Sequence, residues 1–287
     1  MKDSHKGLAA VHTSVLIFGI TALFSKIIDL TSVEITLLRS VFAAMAITCL
    51  FFWFKVSPRL LNKKDYGIAL ILGILLAVHW VTYFHAMQVS SIATGVIALF
   101  TFPIITVFLE PLFDGARPHM RDIVSAMIVL FGIYLLVPEF SLNNSTTQGI
   151  FWGFLSAFCF ALRNIVQGRY FNRYSARHSL LYQTGVTFIL LLPFSFNTIP
   201  NVNMIQWGQL LILGIFFTAL PHILFAFSLL HLQAKTVSLV ACIQVVYATL
   251  FAALLLREYP DASTIIGGII VVSVATYESL FIGKTKS

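Results

Sequence analysis

Three groups of residues in this chain could do chemistry in an apolar setting. The first is His79, Trp80 and Tyr83; His79 and Tyr83 are four apart and share a helix face. The second is His222, just after Pro221, with Gln244 and Tyr247, which are three apart on one face of a later run. Together they offer aromatic surface, hydrogen-bonding groups and two imidazoles that titrate near neutral pH. That chemistry suits a pocket for a small amphipathic solute. The third group is basic: Lys26, Arg39 and Arg163 interrupt otherwise uncharged stretches. A cation at the centre of a membrane helix costs roughly 2.5–3.5 kcal/mol, so such residues face a cavity or a partner. These three could attract a carboxylate or another anion. Each group also has a plainer reading. The aromatics could be packing, and the polar groups could bond to neighbouring helices. Lys26 could snorkel to an interface or pair with Asp29 or Glu34, and Arg163 could snorkel or hold loops together. Pro103 and Pro221 interrupt the helical hydrogen-bond ladder within apolar runs, as a hinge or as a static kink.

The elements that must position these residues are membrane helices. The chain has 287 residues, 59% hydrophobic and only 10% charged, with a mean hydropathy of +0.92. Soluble domains carry about 25% charged residues. Uncharged apolar runs of about 20 residues recur, the length that crosses the hydrocarbon as helix. Membrane barrels would instead alternate apolar and polar residues. The expected fold class is therefore an all-α membrane protein with about ten spans. The first five are Leu8–Ile28, Val33–Phe54, Tyr66–Gln88, Ile92–Phe113 and Asp122–Val137. After the polar linker Ser141–Gln148 come Gly149–Tyr170, Ser179–Phe196, Trp207–Leu230, Thr236–Leu256 and Ala262–Ile282.

The order of events is written twice, from Gly73 to Leu136 and again from Gly214. Each copy runs span, tight break, span, charged turn with a proline (Pro118 or Pro260), span. The net charge of +7 does not form a basic domain, so nucleic acid is not an expected partner. Lys and Arg gather instead at one set of span ends: Lys55, Arg59, Lys63 and Lys64, then Arg169, Arg173 and Arg177, among others. The opposite ends carry Arg257 alone, beside Glu258 and Asp261. The positive-inside rule then puts both termini in the cytoplasm and five spans in each half. An odd number inverts the second half, giving two inverted five-helix repeats, residues 1–140 and 141–287. Together they form one transmembrane domain, with a substrate site expected near the midplane where they meet.

Ten short spans, inverted halves and basic loops resemble the EamA-type exporters of the drug/metabolite transporter superfamily. In that family each repeat's fourth span carries a proline, with a Gly-Glu pair further on, before the fifth span. Pro103 fits the first repeat, but Ala116 holds the glutamate position. Arg257-Glu258 fits the end of the motif in the second repeat, while Val245 replaces the proline. Arg39 followed by Ser40-Val41-Phe42-Ala43-Ala44, and the basic Lys26 late in the first span, are similar to the family as well. The resemblance implies export or exchange of a small metabolite, such as an amino acid, across the bacterial cytoplasmic (inner) membrane by alternating access. It also implies that the third, eighth and ninth spans line a central cavity.

A lipid or nucleotide-sugar carrier of the same superfamily is the closer alternative, and an intramembrane enzyme the more distant one. No His-Glu-x-x-His helix occurs to hold zinc, and the aspartates are scattered. No catalytic residue, metal or cofactor is therefore expected. The expected partners are a small-molecule substrate and membrane lipids. Proton coupling is an open option that would rest on His79 and His222. The oligomeric state is open too, with a monomer as one option. Cys49, Cys159 and Cys242 lie inside apolar runs and read as small hydrophobes.

Overall fold

The computed structural model describes residues 2–114, 120–136, 141, 143–196, 199–232, 237 and 240–282. Among them every regular element is a helix. Six stretches are long and apolar enough to cross a membrane: His5–Ile27, Ser32–Trp53, Lys63–Val89, Ile92–Phe113, Ser145–Tyr170 and Met204–Leu229. Shorter helices complete the set of ten spans, so the chain is an all-helical integral membrane protein. The turn with Ala116 and Pro118, the early part of the ninth span and the Glu278 side chain lie outside the described residues.

In the first half, α1 (Lys2–Thr21) and α2 (Phe24–Ile27) form span one, α3 (Ser32–Trp53) span two, and α4 (Lys63–Val89) span three. Span four is α5 (Ile92–Leu99) and α6 (Phe102–Asp114), and span five is α7 (Met120–Leu136). In the second half, α8 (Ser145–Tyr170) and α9 (Ala176–Ser195) are spans six and seven. Span eight joins α10 (Met204–Gly214), a π-helical turn (Ile215–Ala219) and α11 (Leu220–His231). Span nine ends with α12 (Gln244–Phe251) and a second π turn (Ala252–Leu256), and α13 (Ala262–Ile282) is span ten.

Helix starts follow local chemistry. Thr31 and Glu34 form a capping box that opens α3, Asn62 and Asp65 one that opens α4, and Asn203 and Gln206 one that opens α10. Each satisfies backbone N–H groups that a helix start leaves free. This occupies Glu34, which accepts from the Thr31 N–H at 2.8 Å.

Packing repeats as the sequence does. Span three lies on span six, and their counterparts, eight and one, lie on each other. Span four also touches span six as span nine touches span one, and the pairs two–seven, four–nine and five–ten each join like to like. That is the contact pattern of a twofold axis relating two halves. With five spans in each half, the second copy crosses the bilayer in the opposite sense. Large apolar side chains such as Phe131, Ile189, Phe194, Leu254 and Ile269 stay exposed on the flanks, as a lipid-facing surface requires.

Glycines set the closest approaches. A Cβ at Gly214 would fall 2.5 Å from Phe42 Cβ and 2.8 Å from the Arg39 carbonyl oxygen, so glycine lets span eight close onto span two. A Cβ at Gly19 would fall 2.7 Å from Tyr247 Cβ.

Candidate functional site

Spans four and nine are both interrupted, at Phe100–Thr101 and at Cys242–Ile243. Pro103 is the second residue of α6, where its missing N–H costs little. Val245 occupies the same place in α12, so the second break forms without a proline. In span eight, Pro221 offers no N–H to the Phe217 carbonyl, and Thr21 Oγ1 on span one donates to it instead, at 3.0 Å. Ser14 Oγ donates to the Pro221 carbonyl at 2.8 Å. Hydroxyls of α1 thus satisfy the irregular stretch of its neighbour.

Polar and aromatic side chains from both halves meet between these interrupted spans. His79 is buried, and its Nδ1 lies 2.8 Å from Ser156 Oγ and 3.2 Å from the Ser156 carbonyl oxygen. Ser156 Oγ donates its own proton to the His79 carbonyl at 3.0 Å. Nδ1 must then carry the hydrogen, which leaves Nε2 as the acceptor of a neutral ring. His222 repeats the arrangement, with Nδ1 donating to the Thr218 carbonyl at 2.6 Å. The two histidines present the same tautomer from opposite repeats.

Arg39, on α3, is only 2% exposed. Its guanidinium carbon sits 3.9 Å from the Trp80 ring centre and 4.7 Å from that of Phe84. These aromatic faces stabilise a cation. Arg39 Nε and Nη1 are nonetheless buried without hydrogen-bond partners, as are Thr36 Oγ1 and Tyr83 Oη on the same two spans. Gln244, the first residue of α12, interacts with the Tyr83 hydroxyl but does not complete a well-formed hydrogen bond to it. Trp80 and His222 meet edge to face at 6.0 Å, and His79 stacks on Tyr83 at 6.0 Å.

Arg163 lies on α8 within electrostatic range of both histidines. Its Nε donates to Gln183 Oε1 at 2.7 Å and its Nη1 to Asn164 Oδ1 at 3.0 Å. Tyr247 packs on α1, with its Cβ beside Gly19, and borders the apolar cluster of Val11 and Val15. Of the residues singled out from sequence, His79, Trp80, Tyr83, Arg39, Arg163, His222 and Gln244 form one neighbourhood, and Pro103 and Pro221 restart helices around it. A groove of about 320 Å³ lined by Val41, Met45, Cys49 and Phe188 opens on the apolar flank between α3 and α9 and shares no residue with it.

Lys26 sits at the end of the bundle opposite the basic loops. Its Nζ donates to the carbonyls of Ser90 at 2.9 Å and Gln88 at 3.3 Å, and Glu258 Oε1 is 3.7 Å away. The sequence offered Asp29 or Glu34 as its partner; the structure gives it Glu258, from the other half. Glu258 Oε2 also accepts from the Ile92 N–H that opens α5, at 3.0 Å. The backbone turn that aims Glu258 is made by Arg257 at φ 58°, a left-handed conformation that favours glycine.

At the basic end a second clasp crosses the halves, and the sequence reading missed it. Asp65 on α4, 1% exposed, accepts from Arg173 Nη2 at 2.7 Å, Tyr174 Oη at 2.5 Å and the Asn62 N–H at 3.1 Å. Tyr182 Oη donates to the Pro58 carbonyl at 3.0 Å, and the Leu61 N–H donates to Tyr174 Oη at 2.7 Å. The one legible trace was the Asn62-Lys63-Lys64-Asp65 capping pattern ahead of an apolar run.

The chain matches the EamA-like transporter family twice, over residues 5–137 and 147–277. An uncharacterised transporter, YxxF, of Bacillus subtilis is 24% identical over 268 residues, covering 90% of this chain and 84% of the relative. The pseudopaline exporter CntI of Pseudomonas aeruginosa is 24% identical over 244 residues, covering 85% and 84%. An S-adenosylmethionine uptake transporter of Rickettsia bellii is 20% identical over 211 residues, covering 73% and 71%. A crystal structure of a protein 17% identical in sequence superposes over 100% of this chain and 99% of its own with a TM-score of 0.66, a likeness of fold. With both halves matched and the helices paired as two repeats, this chain belongs to the EamA-like transporter family and is a membrane transporter rather than an enzyme.

Proposed function

We propose that the protein exports or exchanges a small polar or amphipathic metabolite of about amino-acid size by alternating access, without nucleotide hydrolysis. The solute would sit between the repeats, on Trp80 and Tyr83, oriented by His79, His222 and Gln244. One observation carries this reading. Polar side chains from both halves meet around interrupted helices, and at each end a charged clasp joins one half to the other. Opening one clasp while the other holds is what alternating access demands. In this reading Lys26 and Asp65 gate the path, and Pro103 and Pro221 mark where their spans bend. The two repeats are residues 1–140 and 141–287. The bias of Lys and Arg to one set of loops supports a reading with both termini in the cytoplasm, and the likeness to bacterial transporters supports a bacterial inner membrane. One relative is named an exporter and another an uptake transporter, so export rests on the likeness to the first.

Counterflow in proteoliposomes tests the proposal. Vesicles preloaded with a mixture of amino acids and small organic acids should accumulate one labelled compound with no ion gradient imposed. A His79→Ala/Tyr83→Ala double variant, folded by its thermal transition, should lose that accumulation. Unchanged rate and affinity in the double variant would remove these residues from the solute's path.

A further inference from the structure

We infer that the central site takes a small carboxylate whose other polar groups are uncharged: a 2-hydroxy, 2-oxo or N-acyl acid rather than a zwitterionic amino acid. The inference rests on the carrier reading and narrows its substrate class. Its basis is a charge imbalance. Arg39 is 2% exposed, with two of its three guanidinium nitrogens buried and without acceptors. Its faces meet Trp80 and Phe84, while its edge, where the N–H groups point, is left unserved. An unpaired buried cation is costly, and an anion placed against it offsets that cost. Arg163 adds a second cation, satisfied only by the neutral amides of Gln183 and Asn164.

No acidic side chain balances them among the described residues. The charged or titratable groups that His79 senses are Arg163, Arg39 and His222. Those that His222 senses are Arg163 and Arg39. Asp65 and Glu258 are engaged in the end clasps, and Glu34 caps α3. Gln244, which meets the Tyr83 hydroxyl, is the first residue of α12, and a helix N-terminus favours negative charge.

The other half of the ligand follows from the same inventory. His79 and His222 each have Nδ1 committed to a neighbouring residue, so each keeps an Nε2 lone pair. These lone pairs suit a neutral O–H or N–H donor. An α-ammonium group would find acceptors but no counter-charge, and would lie in the field of two guanidinium groups. A hydroxyl or an acylated nitrogen meets the same lone pairs without that penalty. Tyr83 Oη, which meets the Gln244 amide without a well-formed hydrogen bond, can donate to an oxo or carboxylate oxygen.

The test is binding to the full-length protein in detergent, read by calorimetry and by Trp fluorescence, with matched probes at neutral pH. The probes are phenyllactate, N-acetylphenylalanine and phenylalanine, with lactate and alanine as the small pair. The hydroxy and N-acyl acids should bind at least about tenfold more tightly than the matched amino acid. Arg39→Gln should lose this binding; Arg39→Lys, which keeps the charge, should bind more weakly but preserve the order of probes. Should Arg39→Gln fail to fold, the order of probes on the wild type and on Arg39→Lys decides. Amino acids binding as tightly as their hydroxy partners would overturn the inference. So would Arg39→Gln with undiminished affinity, or no saturable binding of any of the three hydroxy or N-acyl acids. The carrier reading fails separately. Selective, Arg39-dependent binding without counterflow of the bound acid would leave the site and remove carriage. Counterflow of amino acids that ignores Arg39 would leave carriage and remove this site.

Discussion

The two ends of the bundle solve one problem with different materials. Each must join a half of the protein to its inverted copy. At the basic end a single carboxylate, Asp65, is 1% exposed and takes hydrogen bonds from a guanidinium, a phenol and a backbone amide. At the opposite end Lys26 and Glu258 are each 26% exposed, stand 3.7 Å apart, and lean on backbone partners. A buried charge that loses one partner is left with a poorly solvated remainder. A part-exposed pair that loses its partner is rehydrated and loses little. The basic end should therefore behave as the firm lock and the opposite end as the easy one. The fold is near-symmetric; the strength of its closures should not be.

The largest test of that contrast is substitution at each end. Arg173→Ala with Tyr174→Phe, which leaves the buried Asp65 carboxylate without two of its donors, should lower the thermal transition of the purified protein several-fold more than Glu258→Ala does. For Glu258→Ala the loss should stay within about 2 kcal/mol, from a part-exposed ion pair and the bond to the Ile92 N–H that opens α5. Equal shifts would erase the distinction. Ionic strength gives the next effect. At about 1 M salt the screening length falls to about 3 Å, so Ser90→Cys should label faster as salt rises, whereas Ser175→Cys should not. Both are best placed in a chain whose three native cysteines are serine. Ser175→Cys responding as strongly would make the basic end as soft as the other.

The smallest effect is a pair of pH responses that differ in alkali. Burial first, and then its bond to Asp65, raises the Tyr174 phenol above its ordinary value. A raised group contributes stability below its unfolded pKa and loses it as pH climbs through the folded one. The basic end should thus loosen in alkali, above about pH 10, as well as in acid, where protonation of Asp65 removes the charge that Arg173 and Tyr174 hold. Asp261, which opens α13, is held below the usual carboxylate range by its Thr264 bonds and the Ser263 hydroxyl. Its contribution is present at neutral pH and is lost as pH falls below about 4. Hydrogen exchange at the two ends along a pH series should separate them; loosening of both in acid alone would contradict the assignment.

Much of this was legible in the sequence because the bilayer demands it. Spans need length and apolarity, and uncharged runs with basic loops at alternate ends supply both. Buried polar residues were legible too, since each is rare in such a run. What escaped was pairing at long range. Lys26 has Asp29 and Glu34 nearby in sequence, yet Glu34 is used to cap its own helix and the partner proves to be Glu258. Asp65 completes the capping box that opens α4, but its second role depends on Arg173 and Tyr174, which no spacing rule connects to it. The break in span nine was hidden because Val245 stands where Pro103 stands in span four. Tyr247 shares a helix face with Gln244 by spacing, but the close approach allowed by Gly19 draws it to α1.

Arg257 gives the easy end one further property. A non-glycine residue in the left-handed region is strained by about 1 kcal/mol, and this strain sits in the turn that aims Glu258 at Lys26 and Ile92. The clasp therefore closes over a strained turn. Glycine at 257 would relax that turn and add up to about 1 kcal/mol to the stability of this end, so one backbone angle sets part of the difference between the two closures.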